Sequence, residues 1–207
     1  MTPDELRRRL AALPPDLEAV HGDGTAEDRR LAHAALGRTL RPAAVLMLLT
    51  DHGAHGMHLV LTQRTAHLAD HAGQISLPGG HIDAEDTSAV AAALREAREE
   101  IGADPTHIEV LTTLPTYVTV TAYAITPVVA LADRRDWRVD PHEVVDVFEV
   151  PLAHLLAGES WRRDCLVRAG RERTYWAVPW QERYIWGATA GMLRTLRSAL
   201  IAGAVER

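Results

Sequence analysis

The chain has no lysine: all 22 of its basic residues besides histidine are arginine. With abundant alanine beside it, this bias reads as genome composition rather than function. Cysteine is nearly absent too. Cys165 stands alone, which excludes an intrachain disulfide framework and fits a reducing compartment. No apolar run approaches the roughly 18 residues needed to span a bilayer. The opening "MTPDELRRRLAAL" is charged and amphipathic and lacks the apolar core of a secretory signal. A cytoplasmic protein with no membrane association is the expectation. The formal net charge of −6 argues against a general nucleic-acid binder. Internal repeats and low-complexity linkers are missing as well.

What is present suits one sizeable domain. The 207 residues are 47% hydrophobic, enough for a core without staples. Residues 4–12 and 26–36 read as two short helices, an N-terminal extension (1–40) to a core of about 41–203. "AAVLMLLT" after Pro42 is a buried strand, and "MHLVLTQR" pairs with it as a hairpin. A helix capped by Asp86, Thr87 or Ser88 runs to Ile101, with Gly102 as its stop. Further strands are expected at 107–114, 122–132, 143–150, 160–168 and 172–179, and a last helix from Trp186 to Ala202. Strands with helices between and after them indicate an α/β sandwich around a mixed sheet.

The helix ending at Gly102 breaks local rules. Glu96 and Glu100 sit four apart, a destabilising like-charge pair. Glu99 and Glu100 also crowd the carbonyl end, where the helix dipole disfavours acid. On a helical wheel Val90, Leu94, Ala97 and Ile101 form the face that packs on the sheet. Glu96, Glu99 and Glu100 form a second stripe, with Ala89, Ala92 and Ala93 upstream leaving it uncovered. One reading is a solvated face with Arg95 paired to Glu99. The other is a cage for Mg²⁺ or Mn²⁺, because converging carboxylates are the hard oxygen ligands those ions take. Local violations tend to mark functional sites. The preceding "SLPGG" adds a glycine loop that approaches a ligand closely and can cradle an anion.

These residues resemble a known family. Gly80 followed by "LREAREEIGA" is similar to the Nudix box, G-x5-E-x7-R-E-U-x-E-E-x-G-U with U aliphatic. Arg95, Glu96, Ala97, Glu99, Glu100, Gly102 and Ala103 match its second half, with Ala at the aliphatic places. Asp86 stands where the first Glu belongs, and the gap to Arg95 is one residue longer. "VLTQRTAHLADHAGQISLPGG" resembles the signature that precedes the box in coenzyme A pyrophosphatases, L-L-T-x-R-[SA]-x3-R-x3-G-x3-F-P-G-G. Thr62, Arg64, Gly73, Pro78, Gly79 and Gly80 agree. Val60, Thr65, Ala69 and Leu77 differ, and Ala69 replaces an arginine. The longer box and "YIWGATAGML" near the C-terminus also resemble that subfamily, over roughly residues 40–200.

The resemblance implies a Nudix-type α/β/α sandwich and hydrolysis of a diphosphate by bound metal ions. It implies metal ligation by Glu96 and Glu100, by Glu99 directly or through water, and by the Gly79 carbonyl. Arg95 would orient the glutamates, and Arg64, Gly73 and Gly80 would contact substrate. The general base would be a box glutamate such as Glu99 or a later acid, with Glu143 favoured. For coenzyme A the products would be 3′,5′-ADP and 4′-phosphopantetheine. Rival readings are another nucleoside-diphosphate derivative, such as ADP-ribose or NADH, and a non-catalytic nucleotide-binding regulator.

Other features read as structural. His52, His55 and His58 fall in a Gly-rich turn without a completing cysteine or acid, so a solvated turn is expected rather than zinc. His67 and His71 lack the Glu of H-E-x-x-H; either is a candidate to substitute in part for the arginine missing at Ala69. Trp161, Trp176, Trp180 and Trp186 read as core or dimer contacts, which allows a homodimer. Cys165 reads as a small buried hydrophobe.

Overall fold

The computed structural model describes residues 1–11, 13–14, 17, 19, 21–37, 39–65, 73–134, 136–168 and 171–205. His67, Ala69 and His71 lie outside the described residues.

The strongest sequence signal becomes the spine of the fold. β1 (Arg41–Asp51) carries the run of apolar residues, and eight consecutive positions of it are buried. Burial on both faces requires partners on both sides, as in a central strand. β2 (Met57–Arg64) folds back antiparallel, with Leu49 opposite Leu59. After β3 (Ile75–Ser76) and β4 (Gly79–His81) comes α3 (Ala89–Ile101), numbered after two N-terminal helices, α1 (Pro3–Leu10) and α2 (Ala26–Leu36). β5 (Ile108–Thr113) and β6 (Tyr117–Val118) lead to β7 (Tyr123–Asp133). β7 lies parallel to β1 from Arg41 opposite Tyr123 to Asp51 opposite Asp133. β8 (Val144–Pro151) then pairs with the other edge of β2. The result is an eight-stranded mixed sheet. A short helix α4 (Leu152–Leu156) connects it to a three-stranded antiparallel sheet of β9 (Arg162–Arg168), β10 (Arg171–Trp180) and β11 (Arg183–Trp186). α5 (Gly187–Val205) closes the described chain.

The main sheet separates two cores. On one face, Ala44, Leu46, Leu48, Val60, Val128 and Ala130 pack beneath Ala92, Ala93, Ala97 and Ile101 of α3. On the other, Val45, Met47, Leu49, Leu59, Leu61 and Val129 meet Met192, Leu193, Leu196 and Leu200 of α5, with Leu6 and Leu10 of α1. Val178 and Ile185 join the small sheet to this second core. The architecture is therefore α/β, helix on sheet on helix, as the pattern of elements predicts.

Three expectations need correction. Ala92 and Ala93 are fully buried, so they cover the sheet instead of baring the acidic stripe. Their small side chains let α3 settle closely on β1, and this leaves the larger Val90 and Leu94 on the rim of the same core. Cys165 is exposed, because β9 is hydrogen-bonded along β10 at the outside of the small sheet and its outer positions, such as Val167, stand clear of the core. The histidine turn is only partly solvated. His52 lies 2.5 Å from the Glu149 carboxylate and stacks on His58, with 3.9 Å between ring centres.

Candidate active site

The site is built where β4, α3, the end of β2 and the start of β8 meet. Ser88 is the residue that caps α3, its hydroxyl accepting from the Ala91 N–H. Gly102 ends the helix in the left-handed conformation, at φ 67°. The chain after β7 is strapped to that end: the Asp140 N–H donates to the Glu100 carbonyl and the Arg138 N–H to that of Ile101. The strap delivers Glu143 to the start of β8. Thr65 fixes it from the β2 side, its N–H donating to the Glu143 carbonyl and its hydroxyl to that of His142.

Glycine is required beside the carboxylates for two different reasons. A Cβ on Gly80 would fall 2.6–2.7 Å from the Glu96 carboxyl group. A Cβ on Gly79 would fall 2.4 Å from the Ala44 carbonyl oxygen, and its φ of 149° disfavours other residues. Gly73 takes φ 70°, and no atom of the described residues lies within 4 Å of its missing Cβ. No contact joins it to the acids among the described residues.

The three box glutamates occupy three environments. Glu100 is 2% exposed. One of its oxygens accepts from the Gly79 N–H at 3.1 Å, and the other lies 3.2 Å from Arg64. Burial pushes its pKa up to about 7; the Gly79 N–H and Arg64 oppose that rise, and the charges of Glu143 and Glu96 add to it. Glu96 is partly buried, and desolvation raises it, opposed by Arg95 and assisted by Glu99 and Glu143. Glu99 is largely exposed and lies 3.2 Å from Arg95.

Arg95 is the hub that arranges them. It donates to both oxygens of Asp86, at 3.1 and 2.8 Å, to Glu96 at 2.9 Å, to Glu99 at 3.2 Å and to the His81 carbonyl at 3.0 Å. Asp86 in turn holds the Asp83 N–H, and the Arg95 hydrogen bonds keep its carboxyl below the usual range. The sequence pattern placed Asp86 at the first acidic position of the box, and the structure makes it the two-point clamp of the box arginine. Asp83 and the His81 carbonyl carried no sequence signal as partners of Arg95.

The stripe predicted to converge does not gather at one point. Among the described residues, no three His, Cys, Asp or Glu side chains surround a position a metal ion could take. The two inner acids have different cationic partners, Glu100 facing Arg64 at 3.2 Å and Glu96 facing Arg95 at 2.9 Å. The donor set itself fits a hard divalent cation. It is all oxygen, and the charges of Glu143 and Glu96 act on a buried, poorly compensated Glu100.

A NUDIX domain matches residues 39–170. The chain belongs to the NUDIX family. It is 41% identical to a protein of Escherichia coli O6:H1 named "Uncharacterized Nudix hydrolase NudL", over 75% of this chain and 81% of that one. The protein of the same name from Salmonella paratyphi B is 41% identical over 81% of this chain and 85% of its own. Among solved structures, the Nudix hydrolase RenU of M. smegmatis overlaps 56% of this chain and 74% of its own, at 23% identity and TM-score 0.48. The NUDIX domain of Shewanella oneidensis NrtR, solved with ADP ribose, overlaps 64% and 87%, at 26% identity and TM-score 0.44. Both overlaps are partial, and neither bears on the substrate. As a Nudix hydrolase, the protein is an enzyme acting on phosphoric anhydrides, a class that generally uses divalent metal ions.

Proposed function

We propose that this Nudix hydrolase cleaves the diphosphate of coenzyme A or its thioesters, with Mg²⁺ or Mn²⁺, to 3′,5′-ADP and 4′-phosphopantetheine. The observation that carries the catalytic part is the buried carboxylate of Glu100, set against Gly79 and Arg64 and within the field of Glu96 and Glu143. The coenzyme A part rests on the signature ahead of the box. Its threonine and arginine, Thr62 and Arg64, sit at the end of β2, where Thr62 ties to Ser76 and Arg64 reaches Glu100.

Glu96 and Glu100 would hold the ion, with Glu99 and the Gly79 carbonyl completing the set. A divalent ion supplies neutralisation of the diphosphate oxygens and a more acidic water. The protein's own part is positioning, as in phosphoryl transfer generally. Arg95, clamped by Asp86, fixes the rotamers of Glu96 and Glu99. Arg64 exchanges its contact with Glu100 for a substrate phosphate oxygen, which its planar fork suits. Glu143 accepts a proton from the water that adds to phosphorus as the anhydride P–O bond breaks. The single thiol and the absence of a membrane-crossing helix among the described residues are compatible with action on a free cytoplasmic nucleotide, in a monomer or a homodimer.

The test is product analysis with coenzyme A, ADP-ribose and NADH, each with Mg²⁺ and with Mn²⁺. Preferential release of 3′,5′-ADP supports the proposal. Faster cleavage of ADP-ribose or NADH replaces the substrate, and binding without any turnover would make the domain a regulator.

A further inference from the structure

Arg41 opens β1 in an unusual setting for an arginine. Its guanidinium carbon lies 4.1 Å from the centre of the Tyr123 ring, its register partner on β7. The His81 ring sits against the same tyrosine, with centroids 5.3 Å apart. The Arg41 Nε is shut off from solvent and has no hydrogen-bond partner among the described residues. None of the carboxylates described there forms an ion pair with it, whereas Arg7, Arg30, Arg64, Arg95 and Arg183 each pair with one. An arginine held by an aromatic face, with no ion pair for its fork among the described residues, is arranged to receive an anion.

Its position ties this arginine to the active site. His81 follows Gly80 directly; its carbonyl accepts from Arg95 while its ring faces Tyr123. Ala43 stands opposite His81, and Ala44 opposite Gly80. Three strand residues, about 10 Å, separate Arg41 from Ala44, the register partner of Gly80. Strand alternation puts Arg41, Tyr123 and His81 on the Val45 face of the sheet and Gly80 with Glu96 on the other. His81, whose carbonyl accepts from Arg95, is the link between them.

We infer that Arg41, stacked on Tyr123 beside His81, is a second anion subsite that takes a phosphomonoester on the nucleoside half of the substrate. The inference rests on the coenzyme A reading, because coenzyme A carries a 3′-phosphate separate from its diphosphate. It turns Arg41 into a specificity determinant that favours 3′-phosphorylated nucleotides over otherwise identical ones.

Calorimetric titration of the full chain with 3′,5′-ADP and with 5′-AMP tests the subsite without any turnover. The wild type is expected to bind 3′,5′-ADP about tenfold more tightly, the scale of a charge-assisted hydrogen bond. In Arg41→Ala the preference falls to near one, and Arg41→Lys, which keeps the charge and loses the fork, lies between. Tyr123→Leu removes the platform and reduces the preference without touching the cation. A wild type with no preference, or a preference that survives in folded Arg41→Ala, overturns the subsite. The matching kinetic readout is the ratio of kcat/KM for coenzyme A over dephospho-coenzyme A, which collapses in Arg41→Ala. If the wild type fails to cleave coenzyme A yet prefers 3′,5′-ADP through Arg41, the subsite stands and the substrate reading falls.

Discussion

Glu100 combines burial, a weak set of partners and two like charges in its field. Its folded pKa of about 7 lies above the ordinary carboxylate value of 4.5. The folded chain therefore binds this proton more tightly than the unfolded chain. The associated stability is full below pH 4.5 and is lost as pH rises through 7, a span worth about 3 kcal/mol at most. The metal-free protein should accordingly melt lower at pH 8 than at pH 5.5, and Mg²⁺ should restore more at pH 8. A thermal midpoint that rises from pH 5.5 to 8 without metal contradicts this. Glu100→Gln removes the charge and keeps an oxygen for the Gly79 N–H. Its metal-free midpoint at pH 8 should equal or exceed the parent's, while metal-dependent turnover falls about 100-fold or more. A midpoint several degrees lower would show that the carboxylate stabilises the apo fold instead.

At the scale of the element, β4 separates stability from activity within two adjacent residues. A side chain at Gly79 first meets the backbone of β1, which cannot yield, whereas one at Gly80 first meets the movable Glu96 carboxylate. Gly79→Ala should cost about 1–3 kcal/mol of stability through strain and clash. Gly80→Ala should leave the thermal midpoint within a few degrees and lower kcat more than tenfold. Equal effects of the two on the midpoint would refute the distinction. The same elements show what sequence can and cannot specify. β1, β2 and α3 are legible because their apolar periodicity and end signals agree with the tertiary structure. β4 and β11 are too short to show a period, since three or four residues pair only because longer neighbours hold them. The acidic stripe is legible as spacing, but its division into buried, partly buried and exposed acids is not. That depends on how closely Ala92 and Ala93 let α3 approach β1, and on where Arg64 and Arg95 reach.

Over the whole molecule, the site is framed by pieces far apart in the chain. The segment before β1 is held against β6 and the turn after it. Asp23 accepts from the Tyr117 hydroxyl at 2.7 Å and from the Val120 N–H at 3.0 Å, and Gly22 bridges to Val118. Tyr117 is buried among the residues that meet α5, which raises its pKa and keeps the phenol a donor. Asp23→Ala leaves a buried hydroxyl and an N–H unpaired, at a cost of about 1–3 kcal/mol. The variant should lose that stability in urea, and limited proteolysis should cut residues 21–37 faster; unchanged cleavage would show that Asp23 does not anchor the segment. The two helical layers and the small sheet all close on the main sheet, so the carboxylates at its edge gain their burial from the fold as a whole.

On the proposed function, Glu96 and Glu100 hold a divalent ion used to open the diphosphate of coenzyme A. The measurement that tests it most directly is chromatographic detection of 3′,5′-ADP and 4′-phosphopantetheine from coenzyme A, run with Mg²⁺, with Mn²⁺ and with chelator. Equimolar products are expected with a metal ion, none with chelator, and at least about 100-fold less from Glu100→Gln. Equal product release in chelator, or full activity in Glu100→Gln, would contradict it.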